Sequence, residues 1–199
     1  KMDNKNDGIK KYMEDVLPFM TIIWGFGIGL ASFILTWFIP AFFGAEFSGE
    51  AMVIVLLSAG AIFSFPSLVG YSPFIMSVSD VKISFPMALV IAVVNVAAHF
   101  ILIKPFGLTG SAIATLLSVI SGLLYIAVHV GKKYSFRTGH LFLSLLPGVL
   151  SITAYLLFPN VYVFIGCLTV LSFLFVVSAK DKIFPYFNLA VKMLKSGKE

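Results

Sequence analysis

The chain is short of charge. Only 12% of its 199 residues are Asp, Glu, Lys or Arg, while 59% are hydrophobic, against about 25% charged in an ordinary soluble domain. Too few polar side chains are present to cover a water-facing surface, so the composition excludes a soluble globular protein. Cysteine is nearly absent as well. Cys167 stands alone inside an apolar run, which rules out a disulfide framework and a thiolate metal site, and it is read as a small membrane-buried hydrophobe. No Asp or Glu lies inside any of the long apolar runs. An ion site or proton relay made of buried carboxylates therefore cannot be built within these runs alone.

Enzyme signatures are missing too. His99, His129 and His140 are too far apart in sequence to form a local metal cluster, neither H-E-x-x-H nor G-x-S-x-G occurs, and "GFGIG" at 25–29 lacks the spacing and strand context of a dinucleotide loop. The formal charge of +5 does not indicate nucleic acid, because the basic residues sit between apolar runs and not on one face of a folded domain. Outer loops offering little besides Glu46, Glu50 and Lys104 are too sparse for acid–base catalysis. The chain is accordingly read as a non-enzyme, with no catalytic residue, no cofactor, no metal ligand and no nucleic-acid partner.

What is present is a series of charge-free stretches, each near the roughly 20 residues a helix needs to cross the hydrocarbon core. The first covers about 16–39, with Pro18 near its start and Trp24 and Trp37 towards its ends as interfacial anchors. The second covers about 51–71. Pro66, Gly70 and Pro73 in "FSFPSLVGYSP" predict a kink or interruption there, either a proline kink or a discontinuous helix that presents free backbone groups. The third and fourth, about 83–103 and 108–130, are joined by "KPFGLTG" as a tight hairpin. The run from Leu141 to Ala179 would measure about 58 Å as one helix at 1.5 Å per residue, twice the bilayer core. It must turn at "FPN", residues 158–160, giving spans at 141–158 and 161–179.

Alternating barrel strands are absent, and only helices or closed barrels satisfy the backbone in lipid. The expected fold is thus all-α: a polytopic membrane protein with a six-helix bundle over 16–179, a cytoplasmic segment at 1–15 and a basic amphipathic tail at 180–199. Of the 14 Lys and Arg residues, only Lys104 falls on the far side. The excess of basic residues therefore puts both termini in the cytoplasm, in a multi-pass protein of the plasma (inner) membrane. In the tail, Ile183, Phe187, Ala190, Val191 and Leu194 share one face, which suits either the inner interface beside anionic lipid or a frayed end.

Two polar or small-residue patterns stand out. Asn95 and His99 are four residues apart and share a helix face. That face either lines a cavity or grips a neighbouring helix through hydrogen bonds, and the second reading is the commoner use of these residues in membrane bundles. Gly110, Ala114, Ser118 and Gly122 make a stripe of small residues whose expected role is close helix packing.

"FFGAEFSGEA" at 42–51 and "NVAAHFILIKPFGLTGSAIATLLS" at 95–118 resemble the C-terminal half of the polysaccharide exporters and lipid-linked oligosaccharide flippases, whose superfamily also holds the multidrug and toxin extruders. The second stretch is similar to the family pattern N-x-x-L-n-x-x-L-I-P-x-x-G-x-x-G-A-A-x-A-T at Asn95, Leu102, Ile103, Pro105, Gly107, Gly110, Ser111, Ala112, Ala114 and Thr115. It departs in having Lys104 before the proline, where the family usually has a basic residue after it, and Ser111 in place of alanine. The resemblance implies that the six spans match the ninth to fourteenth helices of a fourteen-helix protein, so that N-terminal helices of the same protein are missing partners. It implies translocation of a polyprenyl-diphosphate-linked oligosaccharide or polysaccharide precursor by alternating access, with membrane lipids and the lipid-linked glycan as partners. A cation-coupled multidrug exporter and a non-catalytic six-helix membrane subunit are the alternatives.

Overall fold

The computed structural model describes residues 8–45, 47, 51–78 and 80–177, and no strand occurs among them. Five helices follow one another: α1 (Gly8–Phe43), α2 (Ala51–Ser77), α3 (Val81–Tyr134), α4 (Gly139–Leu157) and α5 (Val161–Val177). The first four are long and apolar enough to cross a membrane, and α5 is a shorter apolar helix. The third and fourth expected spans follow one another without a loop, as one helical run broken only at Gly107. Gly107, at φ 55° and ψ −129°, is the only residue in α3 off helical angles. Lacking a Cβ, glycine adopts such angles freely, so a single residue reverses the chain where a loop of several was expected.

That reversal makes α3 an antiparallel hairpin with arms 81–106 and 108–134. Its register is read from the contacts. Asn95 meets Ser118, a Cβ built on Gly122 would sit 2.5 Å from Cγ1 of Ile91, and Asp80, just before the first arm, meets Lys133 and Tyr134 at the end of the second.

The expected interruption of the second span takes a milder form. Helical geometry continues through Pro66, Gly70 and Pro73, and the chain widens into a π turn over Pro66–Tyr71 before resuming at Ser72–Ser77. Pro66 has no N–H for the carbonyl four residues back and its ring crowds that carbonyl, and an added residue in the turn relieves both. A second π turn, Tyr12–Val16, precedes Pro18, so the helix reaches back into the segment 1–15 that was expected to precede the first span. α1 runs on past 39 to Phe43 and ends at Gly44, φ 112°. In α4 regular geometry lapses at Leu145, two residues before Pro147. The turn at 158–160 is where the sequence puts it: Asn160 Oδ1 accepts the backbone N–H of Tyr162 at 2.9 Å and caps α5.

α2 lies at the centre, against α1, α3 and α4. The helices meet through close dispersion contact and interhelical hydrogen bonds. Gly70 lies directly against Leu17, which is fully buried. Ser32 and Ser58 share a hydrogen bond of 2.7 Å. Trp24 Nε1 donates to the Ala61 carbonyl at 3.1 Å while its ring stacks on Phe65 at 5.1 Å. α5 packs on α1 where glycine makes room: Cβ atoms on Gly25 and Gly29 would lie 3.3 Å from Ser172 Oγ and 2.7 Å from Thr169 Oγ1. The basic tail at 180–199 and most of "AEFSGE" at 45–50 lie outside the described residues.

Candidate functional site

A set of polar side chains meets across the seam between the two arms of α3. Asn95 Nδ2 donates to Ser118 Oγ at 3.2 Å, and Ser118 in turn donates to the Thr115 carbonyl at 2.7 Å. His99 uses both ring nitrogens: Nδ1 lies 2.8 Å from the Asn95 carbonyl and Nε2 lies 3.0 Å from Ser111 Oγ. A carbonyl oxygen only accepts, so Nδ1 carries the proton, and in the neutral ring Nε2 accepts from the Ser111 hydroxyl. The partners of Asn95 and His99 are thus two serines of the facing arm. Ser118 enters the sequence pattern as a small packing residue; its hydroxyl also closes a hydrogen bond, which only the register of the hairpin reveals.

The stripe of small residues serves the same seam. A Cβ on Gly110 would run into the Leu102 carbonyl, Gly122 lies under Ile91, and Ala114 between them is fully buried. Close approach of the arms is what brings the short Asn and Ser side chains within bonding distance. Beside this contact, on the outer side of the first arm, an open hollow of about 510 Å³ is lined by Asn95, Val96, His99, Phe100, Ile103 and Lys104. Lys104 is exposed at its end. Pro66, Gly70 and Pro73 lie on α2, outside this seam, with Gly70 taken up by the contact with Leu17.

A separate set of polar contacts ties the feet of the hairpin. Asp80 accepts from Lys133 Nζ and from Tyr134 Oη, the latter at 2.8 Å. The Lys133 bond first, then the Tyr134 bond, hold the Asp80 carboxyl below the usual carboxylate range. Tyr134 also packs edge-on against Phe74 of α2 at 4.8 Å, and Phe74 against Phe136 at 5.2 Å. The Glu14 carboxylate accepts the backbone N–H of Arg137 at 2.8 Å, linking α1 to the chain beyond α3. Sequence spacing gives no sign of these pairings, which join residues more than fifty positions apart.

Among the described residues, no group of three or more His, Cys, Asp or Glu side chains could hold a metal ion. The arrangement presents hydroxyl, amide and imidazole groups along the seam and an ammonium at its end. Comparison of the chain with family models, with curated proteins and with solved structures gives no match.

Proposed function

We propose that the chain is the C-terminal part of a membrane flippase that moves polyprenyl-diphosphate-linked oligosaccharide or polysaccharide precursors across the plasma membrane by alternating access. In this reading the two arms of α3 each span the bilayer, so that with α1, α2, α4 and α5 the chain crosses six times and both termini lie in the cytoplasm. α5, at about 25 Å by helical rise, reaches the lower limit for a span. The partners are membrane lipids, the lipid-linked glycan and the N-terminal helices of the same protein.

The observation that carries the reading is the α3 hairpin. The residues that resemble the family signature, from Asn95 to Thr115, are the ones that turn the chain at Gly107 and line its seam. A polar seam inside such apolar helices is costly unless it serves substrate or packing. Alternating access needs lobes that move as units, and arms packed through Gly110, Ala114 and Gly122 form such a unit.

The test is translocation. Full-length protein in liposomes is given a fluorescent lipid-linked oligosaccharide, and loss of outer-leaflet signal to an impermeant quencher is followed. Protein-dependent flipping supports the reading. No flipping, together with cation-driven efflux of dyes, replaces it with the multidrug exporter.

A further inference from the structure

Where α1 begins and α2 ends, the two helices leave an apolar groove between them. It measures about 500 Å³ and is lined chiefly by Ile9, Tyr12 and Met13 of α1 and by Val69, Pro73 and Phe74 of α2, with no charged side chain among its walls. Two contacts fix its shape. Pro73 has no N–H to give the Val69 carbonyl four residues before it, and the Tyr12 hydroxyl donates to that carbonyl at 3.2 Å. Leu17, fully buried, closes the groove from behind by seating on Gly70. Tyr12, Val69 and Pro73 are left exposed, and a hollow of this size has the volume of a pocket that encloses a small ligand or a few side chains.

The last described helix points to this end of the bundle. Gly25 faces Ser172 and Gly29 faces Thr169, so α5 runs antiparallel to α1, and the same register sets its final residue, Val177, level with Met20. From Met20 to Tyr12 is about 12 Å along α1 at the helical rise. Residues 178–182, extended, span up to about 17 Å, which brings Ile183 within reach of the groove. From there the sequence places Ile183, Phe187, Ala190, Val191 and Leu194 on one helical face. The segment that leads into α1, "KMDNKND" at 1–7, also adjoins the groove, but Met2 is its one apolar side chain. It lacks the means to cover an apolar surface.

We propose that the apolar face of residues 183–194 docks in the groove between α1 and α2, so that the end of the chain is tied to its first helix. An amphipathic segment laid in an apolar groove anchors through residues three and four apart, and Ile183 with Phe187 supplies such a pair. Phe187 meets aromatic walls in Tyr12 and Phe74, and Met13 adapts its unbranched side chain to what is seated on it. Lys192 and Lys195, on the opposite face of the segment, stay in water or at the lipid headgroups. Lys10 and Lys11 beside the groove are offset by Glu14 and Asp15, so the rim carries no net charge to repel a basic segment. The inference stands on packing and reach, and is independent of the transport reading.

The experiment is cysteine cross-linking in full-length protein with Cys167→Ser, in nanodiscs of phosphatidylcholine and of phosphatidylglycerol. Ser77→Cys marks the groove, which Ser77 lines and where it is exposed, and Lys82→Cys marks an exposed position outside it. Paired with Asn188→Cys, the groove site is expected to cross-link about fivefold faster than the Lys82 site in both lipids, because docking raises the local concentration of one thiol at the other. In a second measurement, Ile183→Ser with Phe187→Ser is expected to remove the protection of Ser77→Cys from an impermeant thiol reagent and to leave labelling of Lys82→Cys unchanged, with melting to check the fold. Equal cross-linking at the two sites overturns the proposal, as does unchanged labelling of Ser77→Cys in the folded double variant. Cross-linking that appears only with phosphatidylglycerol assigns the segment to the anionic lipid surface and overturns it. Cross-links found between two differently tagged preparations, and not within one chain, give the groove to a second copy and overturn it as well.

Discussion

Nε2 of His99 lies 3.0 Å from Oγ of Ser111, across the arms of one hairpin, while Nδ1 of the same ring lies 2.8 Å from the carbonyl of Asn95. The ring is held at both nitrogens, and a second bridge from Asn95 to Ser118 lies below it. Interhelical bonds of this kind in membrane proteins average about 0.6 kcal/mol in coupling cycles. A double-mutant cycle pairing Asn95→Ala with Ser118→Ala, read as unfolding free energy in bicelles, is expected to give a coupling of about 0.5 to 1 kcal/mol. Additive effects would show that the bridge holds nothing.

Gly107 and Gly110 in the hairpin and the open helix glycines Gly27 and Gly166 are expected to respond in opposite directions. Gly107 has φ 55°, and a side chain held at such angles costs about 1 to 3 kcal/mol, so Gly107→Ala lowers stability even though the space around it is open. Gly110→Ala drives a methyl into the Leu102 carbonyl, which as backbone cannot turn aside, and is expected to part the arms near the turn. Gly27→Ala and Gly166→Ala meet nothing within 4 Å and gain about 0.5 to 1 kcal/mol from helix propensity. Melting of the four variants in one detergent checks the order.

The contact of α1 with α5 supplies a third test. Thr169 Oγ1 and Ser172 Oγ are buried without a partner, and both face the glycines of α1. Removing an unsatisfied buried hydroxyl is neutral or favourable, so Thr169→Val and Ser172→Ala are expected to keep or raise stability. Gly29→Val fills the space that Thr169 occupies and is expected to destabilise by about 1 to 3 kcal/mol through overpacking. Loss of stability in Ser172→Ala would mean that its hydroxyl has a partner after all.

The feet of the hairpin carry a pH dependence. The bonds from Lys133 and Tyr134 hold the Asp80 carboxyl below its ordinary value, so the unfolded chain takes up this proton first as pH falls. The stabilisation is therefore full above the unfolded value, near pH 4, and is lost as pH drops through the lower folded value. Melting followed from pH 7 to pH 3 is expected to show this acid loss in the wild type and a shallower slope in Asp80→Asn. An identical slope in both would remove Asp80 from the account.

The all-helical architecture, the turn at 158–160 and the tight reversal near Gly107 are legible in the sequence, because length, charge-free runs and turn residues act locally. The absence of a loop is not, since one glycine alone turns the chain between the two spans. Pro66 announces an irregularity, but whether a helix breaks or widens depends on what packs around it, here Leu17 against Gly70. At the seam, Asn95 and His99 stand out as polar residues in a greasy helix, yet their serine partners follow only from the register of the arms.

The central claim is that the α3 hairpin forms one wall of a path for a polar headgroup, and thiol accessibility tests it most directly. With Cys167 replaced by Ser, single cysteines are placed beside the hollow by Asn95→Cys and His99→Cys, and on the exposed apolar side of the same arm by Leu89→Cys and Val93→Cys. A membrane-impermeant thiol reagent is expected to label the first set and to spare the apolar set, with labelling slowed by the glycosyl-diphosphate lipid. Equal protection of both sets, or equal labelling of both, would contradict the account.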